Sequence, residues 1–516
     1  MTSPVLPSFS PVLSEHRLDA LDVLRGFALI GICIANVEFF NRPVAESGDG
    51  IPAGLHGLDW LVAFLVATFV TGKFWTIFSL LFGMGFALML ERAQTAQRPF
   101  MPAYGRRIAA LGAFGLLHYL LLWSGDILIS YAFGALVLVL TLFSRPGWMI
   151  PSLIACFVLA QLPGFSFAAW GVMPILFAGL VGAYLRSERR ALFPLLMLVS
   201  GSLMLLGAAF GALGGQDDTS WVLLALGAVL LVLGLLAWRV DQAALRRPLR
   251  AGVAVFLLVY GLAALDGGMR LLDAEPGLAS TEYLEQRAAR GAQEKQVLTN
   301  GSHADAVAMR WSHLGARMED EAGSVVIVAS MFLIGVWFVR AGVVANAAAH
   351  LPLLRRLAVG GIVGGIGLGL TGSAIALGRA PGADDAGYDL AYALLTLGSL
   401  PASLGYVAAL LLALHSGGRL SRLTLLAPYG RMALSNYLMQ SLVFSLLFYA
   451  WGLGLWGIGR TEQVGVALLL CALQIGLSHW WLARFQYGPA EWLWRALTYL
   501  TWPAMRVGLA ASPPTR

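Results

Sequence analysis

The chain has 516 residues, of which 58% are hydrophobic and 12% charged, roughly half the charged share of a soluble domain. That composition excludes a substantial soluble domain. The net charge of +6 rests on arginines between apolar runs, as in cytoplasmic loops of membrane proteins, and implies no nucleic acid.

Runs long enough to cross a bilayer as helices, about 20 residues each, recur along the chain. They lie near 21–40, 58–90, 106–123, 126–143, 148–163, 167–185, 191–213, 221–238, 251–266, 322–340, 357–378, 388–414, 427–450 and 463–483. β-Barrel alternation is absent. The predicted fold is an all-α polytopic membrane protein with about 12–14 transmembrane helices. No small-residue cleavage pattern follows the first run, so it is expected to be an uncleaved anchor. The run 58–90 is too long for one straight crossing, and Thr71-Gly72 is the natural place for a break.

The expected organisation is a cytoplasmic tail 1–20, an N-terminal transmembrane core 21–143 and further transmembrane helices 144–266. A polar helical loop 267–321 on the periplasmic side, a C-terminal transmembrane domain 322–500 and a cytoplasmic tail 501–516 follow. The loop is read as a solvated cap, with a substrate-binding lid as the other reading.

Loop charges set the orientation. Arg92, Arg98, Arg106 and Arg107 share one loop, and Arg186, Arg189 and Arg190 share another. Arg246, Arg247 and Arg250, then Arg355 and Arg356, then Arg419 and Arg422 follow at every second loop. The loops between carry Asp126, Gln216-Asp217-Asp218 and Asp384-Asp385. The positive-inside rule therefore predicts both termini in the cytoplasm, with the chain in a bacterial inner membrane. The cysteines Cys33, Cys156 and Cys471 all sit in apolar runs and imply no disulfide framework.

Ionisable groups inside hydrocarbon are costly and point to function. Asp22 and Arg25 share one face at the cytoplasmic start of the first span, either as a helix-end pair or as an anion site. Lys73 is one of only two lysines, with Lys295, and lies mid-span beside Gly72. Lysine can lose its proton when desolvated, whereas arginine effectively cannot; the plainer reading pairs Lys73 with a carboxylate such as Asp22. His118 lies eleven residues after Arg107, about 16 Å deeper along a helix. The nearby turn Trp123-Ser124-Gly125-Asp126 offers a carboxylate that could orient its imidazole as a general base. Asn36 and His56 flank the first external loop. Asn436 and Gln440 share a face with Arg431 below them, which interhelical hydrogen bonding explains. Glu491 and Arg495 lie on a Trp-rich segment read as interfacial and structural. The sequence contains no P-loop, Gly-x-Ser-x-Gly, His-Glu-x-x-His or metal-ligand cluster.

Five motifs carry a resemblance. Leu21-Asp22-Val23-Leu24-Arg25-Gly26, then Gly72-Lys73-Phe74 with Phe78-Ser79-Leu80-Leu81-Phe82-Gly83, then His118 with Trp123-Ser124-Gly125-Asp126-Ile127-Leu128 resemble the YeiB family. So do Gly430-Arg431-Met432-Ala433-Leu434-Ser435-Asn436-Tyr437 and Tyr487-Gly488-Pro489-Ala490-Glu491-Trp492-Leu493-Trp494-Arg495. That family consists of bacterial inner-membrane proteins with a C-terminal domain of unknown function. It looks related to the transmembrane acyltransferase superfamily, including acyltransferase family three and heparan-alpha-glucosaminide N-acetyltransferase. In family three an arginine of the first span is followed by a histidine; the position that corresponds here is Asn36. The N-acetyltransferase branch also has asparagine there and implicates a histidine after the first span, which by position suggests His56.

The resemblance implies acyl transfer across the membrane, from cytosolic acyl-CoA as co-substrate to a hydroxyl or amine on a periplasmic or lipid-linked glycan. Asp22, Arg25, Arg106, Arg107 and Arg431 are then the expected CoA-binding residues. His118 is the expected base, Asp126 its orienter, and Lys73 or Asn36 the oxyanion stabiliser, with His56 a second base candidate. No metal is expected. The alternatives are a secondary transporter using Asp22, Lys73, His118 and Asp126, and an assembly protein docking through 267–321. The lipid bilayer is the expected partner, and oligomeric state stays open, a homodimer included.

Overall fold

The computed structural model describes residues 19–507 apart from 49, 53, 163–164, 187–191, 214–223, 225–226, 229, 233, 236–243, 273–280, 378, 380–384 and 417–418. The expected span 221–238 lies largely outside these, as do Arg189, Arg190, Gln216, Asp217, Asp218, Asp384 and most of both expected tails. Among the described residues the chain is helical almost throughout, its one β feature being an isolated Phe485–Arg506 bridge. Eight helical stretches are long and apolar enough to cross a membrane, and four shorter apolar helices accompany them. The fold is all-α and polytopic.

The helices are α1 Asp19–Asn36, α2 Gly57–Phe69, α3 Lys73–Thr95, α4 Phe100–Leu121, α5 Leu128–Phe143, α6 Met149–Ala160, α7 Val172–Arg186 and α8 Leu192–Leu213. Then come α9 Arg247–Leu272, α10 Thr281–Asn300, α11 His303–Arg340, α12 Leu351–Arg356, α13 Ile362–Ala376, α14 Ala386–Leu397 and α15 Ser399–Leu414. Last are α16 Ala427–Arg431, α17 Ala433–Phe448, α18 Arg460–Leu482 and α19 Pro489–Tyr499.

Several predicted spans are composite. The run 58–90 breaks into α2 and α3 at Gly72, whose φ of 78° is a conformation that glycine adopts without a Cβ penalty. The run 388–414 divides at Gly398, and 427–450 divides at Met432. The span 322–340 is the inner half of the 38-residue α11, which starts at Ser302 and Asp305 in a reciprocal capping box. With no proline in it, the polar first half and the apolar second half form one rod.

The apolar half of α11 runs through the centre of the bundle, against α3, α5 and α9. Phe82 stacks on Phe332 there at 5.7 Å and meets Tyr131 at 4.7 Å. The polar helix α10, largely exposed, rests one face on the segment between α1 and α2. Arg287 donates to Ala45 O at 2.6 Å and Ser47 O at 3.0 Å, and buried Glu294 accepts from Val44 N at 2.9 Å.

Candidate functional site

Two of the resembling motifs pack on each other. A Cβ on Gly430 would lie 1.9 Å from Asp22 O, so only glycine lets α16 sit this close to α1. The approach sets Arg25 and Arg431 on one vestibule at the end of the bundle where α1 starts and the C-terminal segment returns. Its volume is about 390 Å³, and six arginines (Arg25, Arg92, Arg98, Arg107, Arg431 and Arg495) line it against two carboxylates, Asp22 and Glu491. Asp22 holds Arg25 at 2.5 Å. The Arg107 guanidinium lies 3.8 Å from the Trp494 ring, and Trp494 Nε1 donates to Arg107 O at 3.0 Å. Positive charge predominates, so the vestibule favours an anion.

Glu491 has a structural role, turned toward α17 rather than toward an interface. It caps α17, accepting from Leu434 N at 2.7 Å, Ser435 N at 3.1 Å and Ser435 Oγ at 2.5 Å. Burial pushes its carboxyl up from the usual range, while these hydrogen bonds pull the other way.

Adjoining it is an aromatic chamber of about 220 Å³ that shares Arg25, Arg107, Arg431, Glu491 and Arg495 with the vestibule. Phe78, Phe82, Phe86, Tyr131, Ile127 and Tyr437 line it. The Tyr437 ring also packs against His118, centroid to centroid 4.9 Å. Its hydroxyl approaches the Ile127 backbone, but no well-formed hydrogen bond holds it among the described residues.

His118 itself is buried near the far end of α4. The turn after Leu121 brings Asp126 back, and Asp126 Oδ1 lies 2.7 Å from His118 Nδ1. Asp126 is fixed by two further contacts. Ile129 N donates to Oδ2 at 2.8 Å, Arg317 Nη2 donates to its carbonyl at 2.6 Å, and Arg317 pairs with Glu321. Ser130 closes the string by donating to Glu321 at 2.8 Å. On its other side His118 Nε2 lies 2.8 Å from Ser441 Oγ, on α17. With Asp126 ionised, Nδ1–H donates to it and Nε2 is left to accept from the serine. His118, Asp126 and Ser441 are each at most 2% exposed.

The remaining expected residues lie elsewhere. Arg106 donates to Thr498 O at 2.8 Å and does not line either cavity. Lys73 is fully buried at the α2–α3 break, its Nζ 3.5 Å from Ala67 O, and it lines neither cavity. The pairing of Lys73 with Asp22 does not form, because Asp22 is held by Arg25. His56 is exposed before α2, and Asn36 is half-buried at the end of α1; neither hydrogen-bonds to the His118 group. Asn436 and Gln440 do knit helices, Asn436 donating to Ser478 Oγ at 3.0 Å and Gln440 to Gln474 Oε1 at 3.0 Å. Among the described residues no group of three or more His, Cys, Asp or Glu is placed to hold a metal.

Sequence reasoning did not find Ser441, Tyr437, Arg317 or Glu321. A serine in an apolar helix carries no signal of its own, and its partner lies 323 residues away.

The comparisons with known proteins agree with the motif pattern. Residues 338–501 match the family model "Protein of unknown function (DUF418)". The chain is 27% identical to the uncharacterized protein YxaH of Bacillus subtilis, over 96% of this chain and 98% of the relative. It is also 27% identical to the uncharacterized protein YeiB of Escherichia coli, over 94% of this chain and 96% of the relative. An uncharacterized 39.9 kDa protein of Bacillus acidopullulyticus is 31% identical over 35% of this chain and 50% of the relative. No solved structure matches. The DUF418 region supplies Arg431, Tyr437, Ser441 and Glu491, while Arg25, Arg107, His118 and Asp126 come from outside it. With these likenesses, the chain is a multi-pass membrane protein similar along nearly its whole length to YxaH and YeiB.

Proposed function

We propose that the protein is a membrane-embedded acyltransferase of the bacterial inner membrane. It takes an acyl group from cytosolic acyl-CoA and passes it to a hydroxyl or amine on the periplasmic side. The observation that carries this reading is the adjacency of two cavities and a buried pair. An arginine-lined vestibule leads to an aromatic chamber, and the chamber wall, Tyr437, touches a buried histidine held by an aspartate.

Each part suits one portion of the donor. Phosphates would meet Arg25, Arg107, Arg431 and Arg495, where charge-assisted hydrogen bonds are strongest. The acyl chain and thioester would occupy the chamber, away from water. His118 would take the proton of the attacking nucleophile, and Asp126 would hold its ring and stabilise the imidazolium. The Tyr437 hydroxyl would stand where the thioester oxyanion needs a donor, the role expected of Lys73 or Asn36. With both termini cytoplasmic, the vestibule faces the cytosol.

The buried ionisable groups Glu321, Asp126 and His118 favour a second reading, a transporter with a buried proton path. The experiment that separates them is release of CoA thiol from acetyl- and long-chain acyl-CoA by purified protein. Release in wild type, lost in His118→Ala, supports the transferase. Substrate flux in proteoliposomes without any CoA, together with no release, supports the transporter.

A further inference from the structure

We propose that Ser441 is a covalent nucleophile activated by His118, so that the acyl group rests on the protein between donor and acceptor. The inference builds on the acyl-transfer reading and adds a second chemical step to it.

The first observation is where the hydroxyl points. Serine and threonine in apolar helices commonly return their hydrogen bond to a carbonyl one turn back on the same helix. Thr141 does so toward Val137 O at 2.7 Å, and Ser445, on α17 itself, donates to Leu442 O at 2.9 Å. Ser441 instead meets His118 Nε2, across the bundle. The second observation is that this contact occupies the only imidazole nitrogen able to act as a base, since Nδ1 faces Asp126. The hydroxyl already poised for deprotonation is therefore Ser441, before any acceptor arrives. The third is access: Tyr437, one turn before Ser441 on α17, lines the chamber and touches the imidazole. Chamber wall, base and nucleophile thus meet along one stretch of α17, where His118 of α4 faces it.

The chemistry balances without an outside reagent. Ser441 Oγ bonds to the thioester carbonyl carbon as its proton passes to His118 Nε2. The carbonyl electrons return, the C–S bond breaks, and the thiolate leaves with the proton from Nε2 as free CoA. The acceptor hydroxyl or amine then bonds to the same carbon, giving its proton to Nε2. The C–O bond to Ser441 breaks, and the serine oxygen recovers that proton. Asp126 stays ionised throughout.

The test uses full-length purified protein mixed with acetyl-CoA, and separately with palmitoyl-CoA, without acceptor. Binding is read as a rise in melting temperature. The adduct is read by mass spectrometry of the peptide holding residue 441 after acid quench. The expected result is up to one acyl group per chain on Ser441 in wild type and none in Ser441→Ala or His118→Ala. Ser441→Cys, which keeps a nucleophile, should carry a hydroxylamine-labile thioester at the same position. Melting of each variant near wild type establishes that it is folded. Donor binding with no adduct in wild type would overturn the serine route and leave direct transfer standing. No binding of either donor would overturn the acyl-CoA reading, and this inference with it.

Discussion

Two polar stripes run side by side along α17. Asn436 and Gln440, one turn apart, face α16 and α18, where they meet Tyr429, Gln474 and Ser478. Tyr437 and Ser441 are each the next residue along and face α4. Both stripes are buried in apolar surroundings. The first joins uncharged amides and hydroxyls to one another and needs no further partner to be useful, since such bonds tie helices together in lipid. The second ends in an ionisable pair beside a cavity. Buried polarity alone is therefore a poor guide to function; what separates the stripes is a group that can change charge and a space next to it.

The sharpest way to break that contrast is substitution on the two stripes. His118→Ala should lower CoA release from acyl-CoA by about 10²–10⁴-fold, the usual worth of a positioned base. Gln440→Ala should leave the rate within a few-fold. Equal losses in both variants would mean that the stripes share one structural role.

The vestibule gives the next largest effect. Losing one charge-assisted bond costs about 1.5–3 kcal/mol, so Arg107→Ala or Arg431→Ala should weaken CoA binding by roughly 10–100-fold. Arg106→Ala, one residue away but bonded to Thr498 O, should leave affinity near wild type in the same titration. Smaller again is the stability of the amide stripe. Gln440→Ala should cost about 0.6 kcal/mol, at most near 1.7, read from unfolding in mixed micelles.

The smallest effect concerns α10. Burial holds the Glu294 carboxyl above its ordinary value of 4.5, against the pull of its hydrogen bonds. A carboxyl raised in the folded state favours docking of α10 at acid pH, and that contribution fades as pH rises through the folded value. Proteolysis within 281–300 should therefore speed up as pH rises above the ordinary carboxyl value of 4.5, beyond the protease's own pH response. Glu294→Gln should flatten that difference.

Much of the fold was legible because lipid forces it: apolar runs must be helices, and the Gly72 break was visible as a run too long to cross once. The His118–Asp126 pair was legible because a tight turn follows the helix that carries the histidine. Arg25, Arg107 and Arg431 could be assigned to one end from loop charge alone. Arg106 could not be separated from Arg107, because neighbours on a helix point about 100° apart and the sequence does not set which one faces the cavity. For Lys73 the plainer of two readings was a carboxylate partner such as Asp22, but Asp22 pairs with Arg25. Glu491 read as interfacial because its target, the α17 N-terminus, lies 56–57 residues away. Ser441 was invisible for the same reason over a longer distance.

The most direct measurement is the melting temperature of the purified protein across a titration of acetyl-CoA, in wild type and Arg107→Ala. A ligand that binds only the folded state adds about 2.7 kcal/mol at a hundredfold excess over its dissociation constant. A saturable rise in wild type that moves to higher concentration in Arg107→Ala is the predicted result. No rise with acetyl-CoA or longer acyl-CoAs, or a rise that Arg107→Ala leaves unchanged, would contradict a donor bound in the arginine vestibule.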